Sequence, residues 1–375
     1  MGPTLLTGGV GVIGSAVCAQ VWREGAADSW TLLVRAGNED AARARIHDAL
    51  QAFLPDADAR AAARSFGVIV GDLASLPGRA DACLAEQARI LHLAASTSFT
   101  GNASVWSANF DGAMALGAAA RRMKRLQRLL YVGTAFRCGA APSMVSLAEA
   151  EPPPSNAPHI VQYTKSKAAA EAALRRGFPE LPMTVALPSI VAGHSSLGCQ
   201  ASGSIFWYFR TLDAMALAPA GPETWIDVVP VDWVAQALLH LLRAPSLDHD
   251  MYHVSAGETS RTSLATLAAR FGSLHHGSGA PWGAFDVATE WSLAQRAFHR
   301  AFPDKDLTTR TMLSGVRTYS RFVAQGLTFR NDRLLATGIP PPPPLASYMA
   351  ACLENPGSSI RQMFLDDRGV FTARP

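Results

Sequence analysis

A tyrosine and a lysine stand four positions apart in the segment YTKSK, residues 163 to 167. On a helix, positions i and i+4 lie one above the other on the same face, so Tyr163 and Lys167 can reach a common target. A phenol ordinarily loses its proton at about pH 10, and a neighbouring ammonium favours the phenolate. The pair therefore suits proton transfer near neutral pH, although the same spacing also occurs on ordinary solvated helix faces.

A glycine-rich turn follows the first apolar segment of the chain. The residues TLLTGGVGVIGSAVCAQVWREG, which start at Thr4, predict a strand, a tight turn and a helix with apolar residues at helical spacing. Side chains in such a turn would obstruct the bend and the approach of a pyrophosphate to the helix N-terminus. The context of strand and helix therefore predicts a dinucleotide site. Its predicted contacts are Thr7, Gly8, Gly11, Val12, Ile13 and Gly14.

The next predicted strand, SWTLLVRAG, ends at Arg35. An acidic residue at this position binds the ribose 2′-hydroxyl of NAD, whereas an arginine suits the 2′-phosphate of NADP. We therefore predict NADPH as the cofactor; an ordinary exposed arginine at a strand end is the alternative. The following helical segment contains Arg43 and Arg45, each of which either adds to phosphate binding or is solvated.

Three further apolar segments, FGVIVGDL, ARILHLAAS and RLLYVGTAF, alternate with helical segments. This alternation predicts an α/β fold with a doubly wound parallel sheet of the Rossmann type. The carboxyl ends of parallel strands line the ligand crevice of such a sheet. Asp72, Ala94, Ala95 and Thr134 stand at those predicted ends, so we expect them at the cofactor site.

The composition excludes several classes of protein. Of the 375 residues 49% are hydrophobic and 17% charged, and the formal net charge is +3, which argues against a disordered chain or a nucleic-acid binder. A signal peptide is not expected, because the N-terminus lacks a basic n-region. A membrane span is not expected either, because the sequence lacks a long apolar stretch. The cysteines lack paired spacing, so no metal is expected and a reducing cytoplasm is favoured. They are Cys18, Cys83, Cys138, Cys199 and Cys352.

Seven motifs follow one another in a fixed order over about residues 3 to 240: TGGVGVIG, GDL, LHLAAS, YVGTAF, YTKSK, LPSIVAG and DVVPVDWV. This series resembles the extended short-chain dehydrogenase/reductases. The segments LLVRA, AARARI and VPVDWVA look most like the branch of thioester reductases and fatty acyl-CoA reductases.

The resemblance implies roles for individual residues. Tyr163 would protonate the carbonyl oxygen that is reduced, Lys167 would bind the nicotinamide ribose and lower the tyrosine pKa, and Thr134 would hydrogen-bond the same oxygen. Asn109 would support the site from a helix. The remaining cofactor contacts would be Asp72 and Leu73 by the adenine, Ala94 and Ala95 along the cofactor, and Pro188, Ser189 and Ile190 past the nicotinamide.

Three positions depart from the family pattern. Gly133 replaces a usual serine, Leu187 replaces a common arginine, and Ala113 stands where a small polar residue is usual. These departures concern fine positioning and substrate identity, and they leave the set of Tyr163, Lys167 and Thr134 intact.

We expect a Rossmann NADP-binding domain over residues 1–195 and a smaller, mostly helical substrate-binding region over 196–375, from which residues 222–255 return to the sheet. Aromatic residues in the second region either cover an acyl tunnel or pack a core. The run from Pro340 to Pro344 is predicted to be a stiff spacer between helices, with a ligand for a proline-binding partner as the alternative.

The predicted function is NADPH-dependent reduction of an acyl thioester, carried on coenzyme A or a carrier protein, to an aldehyde or further to an alcohol. The basic run at residues 121–128 either docks an acyl carrier protein or forms an exposed helix end. The alternatives are an NADP-dependent oxidoreductase of a sterol-, flavonoid- or nucleotide-sugar-like ketone or alcohol, and a non-catalytic NADP sensor. A sensor would not need Tyr163 and Lys167, and Ala135-Phe136 lacks the acidic pair that a dehydratase would use.

Overall fold

A parallel sheet of seven strands forms the centre of the protein, as a computed structural model describes it for residues 2–79, 82–99, 102–140, 146–149, 156–274, 281–354 and 359–367. The strands are β1 (Thr4–Thr7), β2 (Trp30–Val34), β3 (Gly67–Val70), β4 (Arg89–His92), β5 (Arg128–Val132), β6 (Met183–Pro188) and β7 (Met251–Val254). Their order is β7-β6-β5-β4-β1-β2-β3, and every neighbouring pair is parallel. The predicted doubly wound α/β fold is confirmed.

The sheet strands are short and apolar because helices cover both of their faces. Leu5 and Leu6 point to opposite faces of β1, and both are fully buried. Strand β1 lies between β2 and β4, so the chain runs outward in both directions from this point. A ligand crevice is expected where the strand order reverses, at the carboxyl ends of β1 and β4.

Helices fill the segments between the strands and most of the chain after β6. Asn38 caps α2 and Asp306 caps α13, each through a side-chain oxygen that accepts from a backbone N–H at 2.9 Å. Within the described ranges, no helix is both long enough and apolar enough to cross a membrane. The helices are α1 (Val12–Arg23), α2 (Glu39–Leu50), α3 (Asp56–Ser65), α4 (Ala82–Ala85), α5 (Asn102–Trp106), α6 (Gly112–Ala120), α7 (Gln162–Gly177), α8 (Phe206–Met215), α9 (Val231–Arg243), α10 (Gly257–Ser260), α11 (Leu264–Leu274), α12 (Trp291–Ala301), α13 (Leu307–Val323), α14 (Asp332–Ala336), α15 (Leu345–Glu354) and α16 (Ile360–Asp367).

A second hydrophobic core lies outside the sheet, among α8, α11, α12, α13, α15 and α16. Its centre is the aromatic run at the start of α8, in which Phe206, Trp207, Tyr208 and Phe209 are all fully buried. Core packing, rather than a ligand, therefore accounts for these four aromatics. The helical C-terminal portion that the sequence predicts is confirmed.

The chain returns to the sheet inside the range 222–255. Strand β7 pairs with β6, with Tyr252 opposite Ala186, and α9 packs against α1. Short two-residue strands pair Ile190–Val191 with Val228–Val229, and Trp225–Ile226 with Thr262–Ser263. Others pair Leu217–Ala218 with Gly283–Ala284, and Ser146–Leu147 with Thr328–Phe329. The domain boundary near residue 195 is still a prediction, because both cores contain residues from beyond it.

The proline run lies along the surface of α9 and α10 before α15 begins. Trp233 Nε1 donates to the Pro340 carbonyl at 2.9 Å, and Ser260 Oγ donates to the Pro342 carbonyl at 2.6 Å. These bonds tie the extended segment to the body of the protein, which is what a spacer between helices requires.

Candidate active site

A cavity of about 1690 Å³ opens at the carboxyl ends of the strands. The residues that the sequence predicts as the catalytic trio and the main cofactor contacts lie in its wall. These residues are Thr7, Gly8, Gly11, Val12, Ile13, Gly14, Arg35, Arg45, Asp72, Leu73, Ala94, Ala95, Thr134, Tyr163, Lys167, Pro188, Ser189 and Ile190. The glycine turn and the tyrosine helix, about 150 residues apart in the chain, thus face one space.

The glycine turn leaves no room for side chains at two of its positions. Gly8 has a φ of +79°, and a Cβ there would lie 2.6 Å from the Ala94 nitrogen. A Cβ on Gly14 would lie 2.1 Å from the Gly8 carbonyl oxygen. Helix α1 begins at Val12 without a side-chain cap, so its first N–H groups face the cavity. This arrangement fits a bound pyrophosphate.

A buried hydrogen-bond chain joins the glycine turn to the end of β4. Thr7 Oγ1 lies 2.7 Å from His92 Nδ1 and accepts from the Ala94 N–H at 3.3 Å. Burial, with the nearby Lys167 charge as the smaller cause, lowers the pKa of His92 to about 3, so its imidazole is neutral. The chain fixes the Ala94 backbone against the cavity.

The three arginines near the predicted adenine end lie in different surroundings. Arg43 forms an ion pair with Glu39 at 2.6 Å and donates to the Ala63 carbonyl at 2.7 Å, so it joins α2 to α3 and lies outside the cavity wall. Arg45 donates to the Arg35 carbonyl, and both side chains are exposed at the cavity. The structure therefore separates Arg43, which is structural, from the pair formed by Arg35 and Arg45.

The turn after β3 supplies the wall next to this arginine pair. Asp72 Oδ1 accepts from the Ser75 N–H at 3.0 Å, which holds the turn in shape. Leu73 packs so closely against α6 that a Cβ on Gly112 would lie 2.8 Å from its side chain. Gly112 therefore lets Leu73 lie flat along this side of the cavity.

Tyr163, Lys167 and Thr134 all line the cavity. Tyr163 is half-buried, whereas Lys167 and Thr134 are 3% and 6% exposed. The Lys167 ammonium lies 4.5 Å from the centre of the Tyr131 ring, where the ring face attracts it. Thr134 Oγ1 accepts from the Phe136 N–H at 3.3 Å, which leaves its O–H free to donate to another oxygen.

Burial sets the protonation of this trio. It raises the pKa of Tyr163 to about 12, and it lowers the pKa of Lys167 to about 7 against the opposing effect of Glu171. The sequence suggested that the lysine would lower the tyrosine pKa, but in this structure desolvation of the phenolate is the dominant cause. Tyr163 is accordingly a protonated phenol at neutral pH and can donate a proton.

Asn109 connects the end of β4 to the tyrosine helix. Its side chain accepts from the Ser96 N–H at 2.7 Å and donates to the Ser96 carbonyl at 3.0 Å and to Ser166 Oγ at 2.9 Å. Ser166 Oγ in turn donates to the Tyr163 carbonyl at 2.9 Å. Asn109 lies in a π-helical turn, Ser107–Asp111, which widens the helix locally. It supports the helix that carries Tyr163.

A buried ion pair, which sequence reasoning missed, joins the segment after Thr134 to the tyrosine helix. Arg137 Nη1 lies 2.8 Å from Glu171 Oε1, with the two side chains 11% and 4% exposed. Glu171 stands four residues, or one helical turn, after Lys167. This spacing is the sequence signal that could have revealed Glu171 as a neighbour of the lysine. The pair fixes Thr134 relative to Tyr163 and places a carboxylate near Lys167.

Two of the departures from the family pattern are coupled. A Cβ on Gly133 would lie 2.7 Å from a terminal methyl of Leu187, so a serine at 133 would require that side chain to shift. The glycine therefore accompanies the leucine. Ala113 is fully buried in the core around Tyr131 and lies away from the cavity wall.

Aromatic residues from distant segments close the cavity beside Tyr163, and the sequence did not single them out. Phe99 lies 6.5 Å from the Tyr163 ring and 5.6 Å from Tyr319, while Phe322 lies 6.0 Å from Phe99. Residues 199–205 and the end of α16 complete this side. Aromatic rings therefore form the part of the wall next to the candidate proton donor.

Most of the basic run at residues 121–128 is used within the protein. Arg121 pairs with Glu180 at 2.7 Å, and Arg125 pairs with Glu86. Arg122 donates to the Leu76 carbonyl at 3.1 Å, and Arg128 donates to the Ala244 carbonyl at 2.6 Å. These contacts favour the interpretation as a helix end over a docking surface.

The sheet order, the glycine turn and the Tyr163–Lys167 pair on one cavity define an extended short-chain dehydrogenase/reductase. The family model described as male sterility protein, an NAD-binding family, matches residues 6–238, more than half of the chain. The protein belongs to that family, which confirms the resemblance seen in the motifs. It is a nicotinamide-dinucleotide-dependent oxidoreductase of the extended short-chain kind.

Similar proteins include reductase domains of biosynthetic assembly lines. The terminal R domain of the myxalamid PKS-NRPS pathway has a TM-score of 0.76 at 21% identity, over 95% of this chain and 90% of that domain. A thiolation-reductase di-domain of an archaeal non-ribosomal peptide synthetase has a TM-score of 0.70 at 15% identity, over 94% of this chain and 75% of that di-domain. The nonribosomal peptide synthetase FrzA of a Cladobotryum species is 27% identical over 272 residues, which are 68% of this chain and 26% of FrzA. This chain thus matches about a quarter of that relative.

Proposed function

We propose that the protein is an NADPH-dependent reductase of acyl thioesters, which yields the aldehyde, or the alcohol after a second reduction. The observation that carries this proposal is the convergence of Tyr163, Lys167, Thr134 and the glycine turn on one cavity. The similarity of this chain to reductase domains that accompany carrier domains supports, as the substrate, a thioester bound to a phosphopantetheine arm.

The residues of the chain would act on the thioester carbonyl as follows. A reduced nicotinamide, when bound, supplies the hydride that forms the new C–H bond. Tyr163 donates its proton to the carbonyl oxygen while Thr134 donates a second hydrogen bond to it, so the negative charge that grows there is neutralised. The resulting hemithioacetal returns its hydroxyl proton to Tyr163 as the C–S bond breaks, and the thiolate takes up a proton from solvent.

Lys167 would bind the nicotinamide ribose from the same helix face. Its burial against the Tyr131 ring and the Glu171 carboxylate nearby both hold it on the cofactor side of the cavity. The preference for NADPH rests on Arg35 and Arg45, which present two exposed guanidinium groups beside the predicted adenine ribose. An arginine binds a 2′-phosphate through a charge-assisted fork of hydrogen bonds.

The test is NADPH oxidation, followed by absorbance, with a panel of acyl thioesters on coenzyme A and on a phosphopantetheinylated carrier protein. Ketones of matched chain length are assayed in parallel, and mass spectrometry identifies the products. We expect thioester-dependent oxidation and an aldehyde or alcohol product. Turnover of ketones alone would replace this proposal with a ketone reductase, and tight NADP binding without any turnover would favour the sensor.

A further inference from the structure

Two carboxylates at the end of α16, Asp366 and Asp367, line the cavity, and one of them lies among aromatic rings. Asp367, the last residue of α16, accepts from Trp207 Nε1 at 2.9 Å and lies beside the Tyr319 hydroxyl. Asp367 and Tyr319 line the same cavity as Tyr163. The acid is therefore held in a fixed orientation within the space that the acyl chain would occupy.

Three aromatic rings line the cavity together with this acid and the candidate proton donor. Phe99, Tyr319 and Phe322 all line the cavity, with ring centres 5.6 Å apart for Phe99 and Tyr319. The Phe99 ring centre also lies 6.5 Å from that of Tyr163. The ring centres of Tyr163 and Tyr319 are therefore no farther apart than the sum of these two distances. Ring faces attract cations, and a carboxylate beside them adds a full negative charge.

The charge of Asp367 has no cationic partner in the described part of the chain. Burial raises its pKa to about 6, so the carboxyl is mostly ionised at neutral pH. Arg361, the cation on the same helix, pairs instead with Asp304 at 3.5 Å and with Asp306. A half-buried carboxylate without a counter-charge is costly, and a cationic ligand in the cavity would offset that cost.

We propose that Asp367 and the rings of Phe99, Tyr319 and Phe322 bind a primary ammonium group carried by the acyl chain. This inference rests on the proposed thioester reduction and names its substrate class, an aminoacyl, peptidyl or other amine-bearing thioester. The ammonium would lie several bonds from the thioester carbonyl, because Phe99 separates Tyr163 from Tyr319.

The experiment compares two thioesters of equal length, one that ends in an ammonium and one that ends in a methyl group, over a series of chain lengths. We expect kcat/KM to favour the ammonium thioester by about tenfold or more at the best length, as for a hydrogen-bonded charge pair. In Asp367→Asn the ratio of the two kcat/KM values should fall to about one, because the asparagine carries no charge.

Asp304→Asn is the matched control. It removes one negative charge beside Arg361 of α16, at a position outside the cavity wall, and it should keep the wild-type ratio. An equal loss of preference in both variants would reduce the effect to a general negative field and overturn the inference. A wild-type enzyme that treats both thioesters alike would also overturn it.

A binding measurement separates this inference from the proposed reaction. Acyl amides, which cannot release a thiol, replace the thioesters in calorimetric titrations of wild type and Asp367→Asn. Tighter binding of the ammonium amide to the wild type alone supports the site whatever the turnover, and equal affinities contradict it. Failure to reduce any thioester, with the ammonium amide still preferred, would instead refute the reductase proposal alone.

Discussion

The two sides of the cavity are built in different ways. The cofactor side consists of strand ends and a glycine turn within the sheet, and its shape is set by backbone positions such as Gly8 and Gly14. The side that we propose to hold the substrate consists of side chains from α13, α16 and residues 199–205, which pack on a separate core. Backbone geometry tolerates few residue types, whereas an apolar wall can be made by many. Only the cofactor side can therefore be recognised from a short sequence motif.

The strongest test of this contrast compares two tyrosines, one from each region. Tyr163→Phe should lower turnover by about 10³-fold and leave NADPH affinity similar, because general acid catalysis contributes about 10²–10⁴-fold. Tyr208→Phe removes a hydroxyl that lies 3.1 Å from Ser320 Oγ in the second core, and should cost only about 1 kcal/mol of stability. Steady-state kinetics and thermal unfolding of both variants are the measurements. Undiminished turnover in Tyr163→Phe would refute its role.

The cofactor side is sharpened by two arginines that look equivalent in the sequence. Arg35→Asp should shift the preference between NADPH and NADH toward NADH by about 100-fold, since a phosphate contact becomes a charge repulsion. Arg43→Ala, in contrast, should lower the melting temperature without a change in preference, because Arg43 bonds the Ala63 carbonyl. The ratio of kcat/KM for the two cofactors decides the question. If Arg35→Asp kept the wild-type ratio, the argument from the 2′-phosphate would be lost.

The Arg137–Glu171 pair tests how the sheet positions its catalytic groups. Glu171→Gln leaves Arg137 buried without its charge partner, which should cost about 3 kcal/mol of stability and lower turnover by about tenfold through misplacement of Thr134 and Lys167. The loss of the carboxylate should also lower the pKa of Lys167 below its present value of about 7.

The sign of the accompanying pH effect follows from the depressed pKa of Lys167. Burial of Lys167 costs no charge-related stability above the ordinary lysine pKa, where the amine is neutral in both the folded and the unfolded state. Stability is lost as the pH falls from there through the folded pKa, so in Glu171→Gln this loss should extend below pH 7. Melting temperatures between pH 5 and pH 9 measure it. A pH profile of turnover and stability identical to that of the wild type would show that Glu171 has no influence on Lys167.

The smallest effect is expected on the substrate side. Phe322→Leu should lower kcat/KM for acyl thioesters by about fivefold, because part of an apolar contact is lost, while cofactor affinity stays the same. The Phe322 ring centre lies 6.0 Å from that of Phe99 and 5.4 Å from that of Phe136, and both rings line the cavity with the proposed catalytic residues. Fluorescence titration with NADPH supplies the control. A weaker cofactor affinity in this variant would mean that the two sides are not separable.

Much of the fold and of the cofactor side could be predicted because the signals are local. The glycine spacing, the strand that precedes it and the pair in YTKSK each fall within a few residues, and the parallel sheet brings their positions to one edge. The pKa of Tyr163 could not be predicted. It depends on how far the folded protein removes the phenol from water, and burial outweighed the effect of the lysine.

By itself the sequence determined the α/β class, the family and a set of residues that line one cavity, because short periodic patterns and obligatory glycines specify them. Only the tertiary structure decided which arginines reach the cavity, how Arg137 meets Glu171, and that Asp367 and three aromatic rings line the same cavity as Tyr163. These contacts join residues far apart in the chain, and no pattern of neighbouring residues records a distance of that kind. Their energies depend on burial, which exists only once the chain has folded.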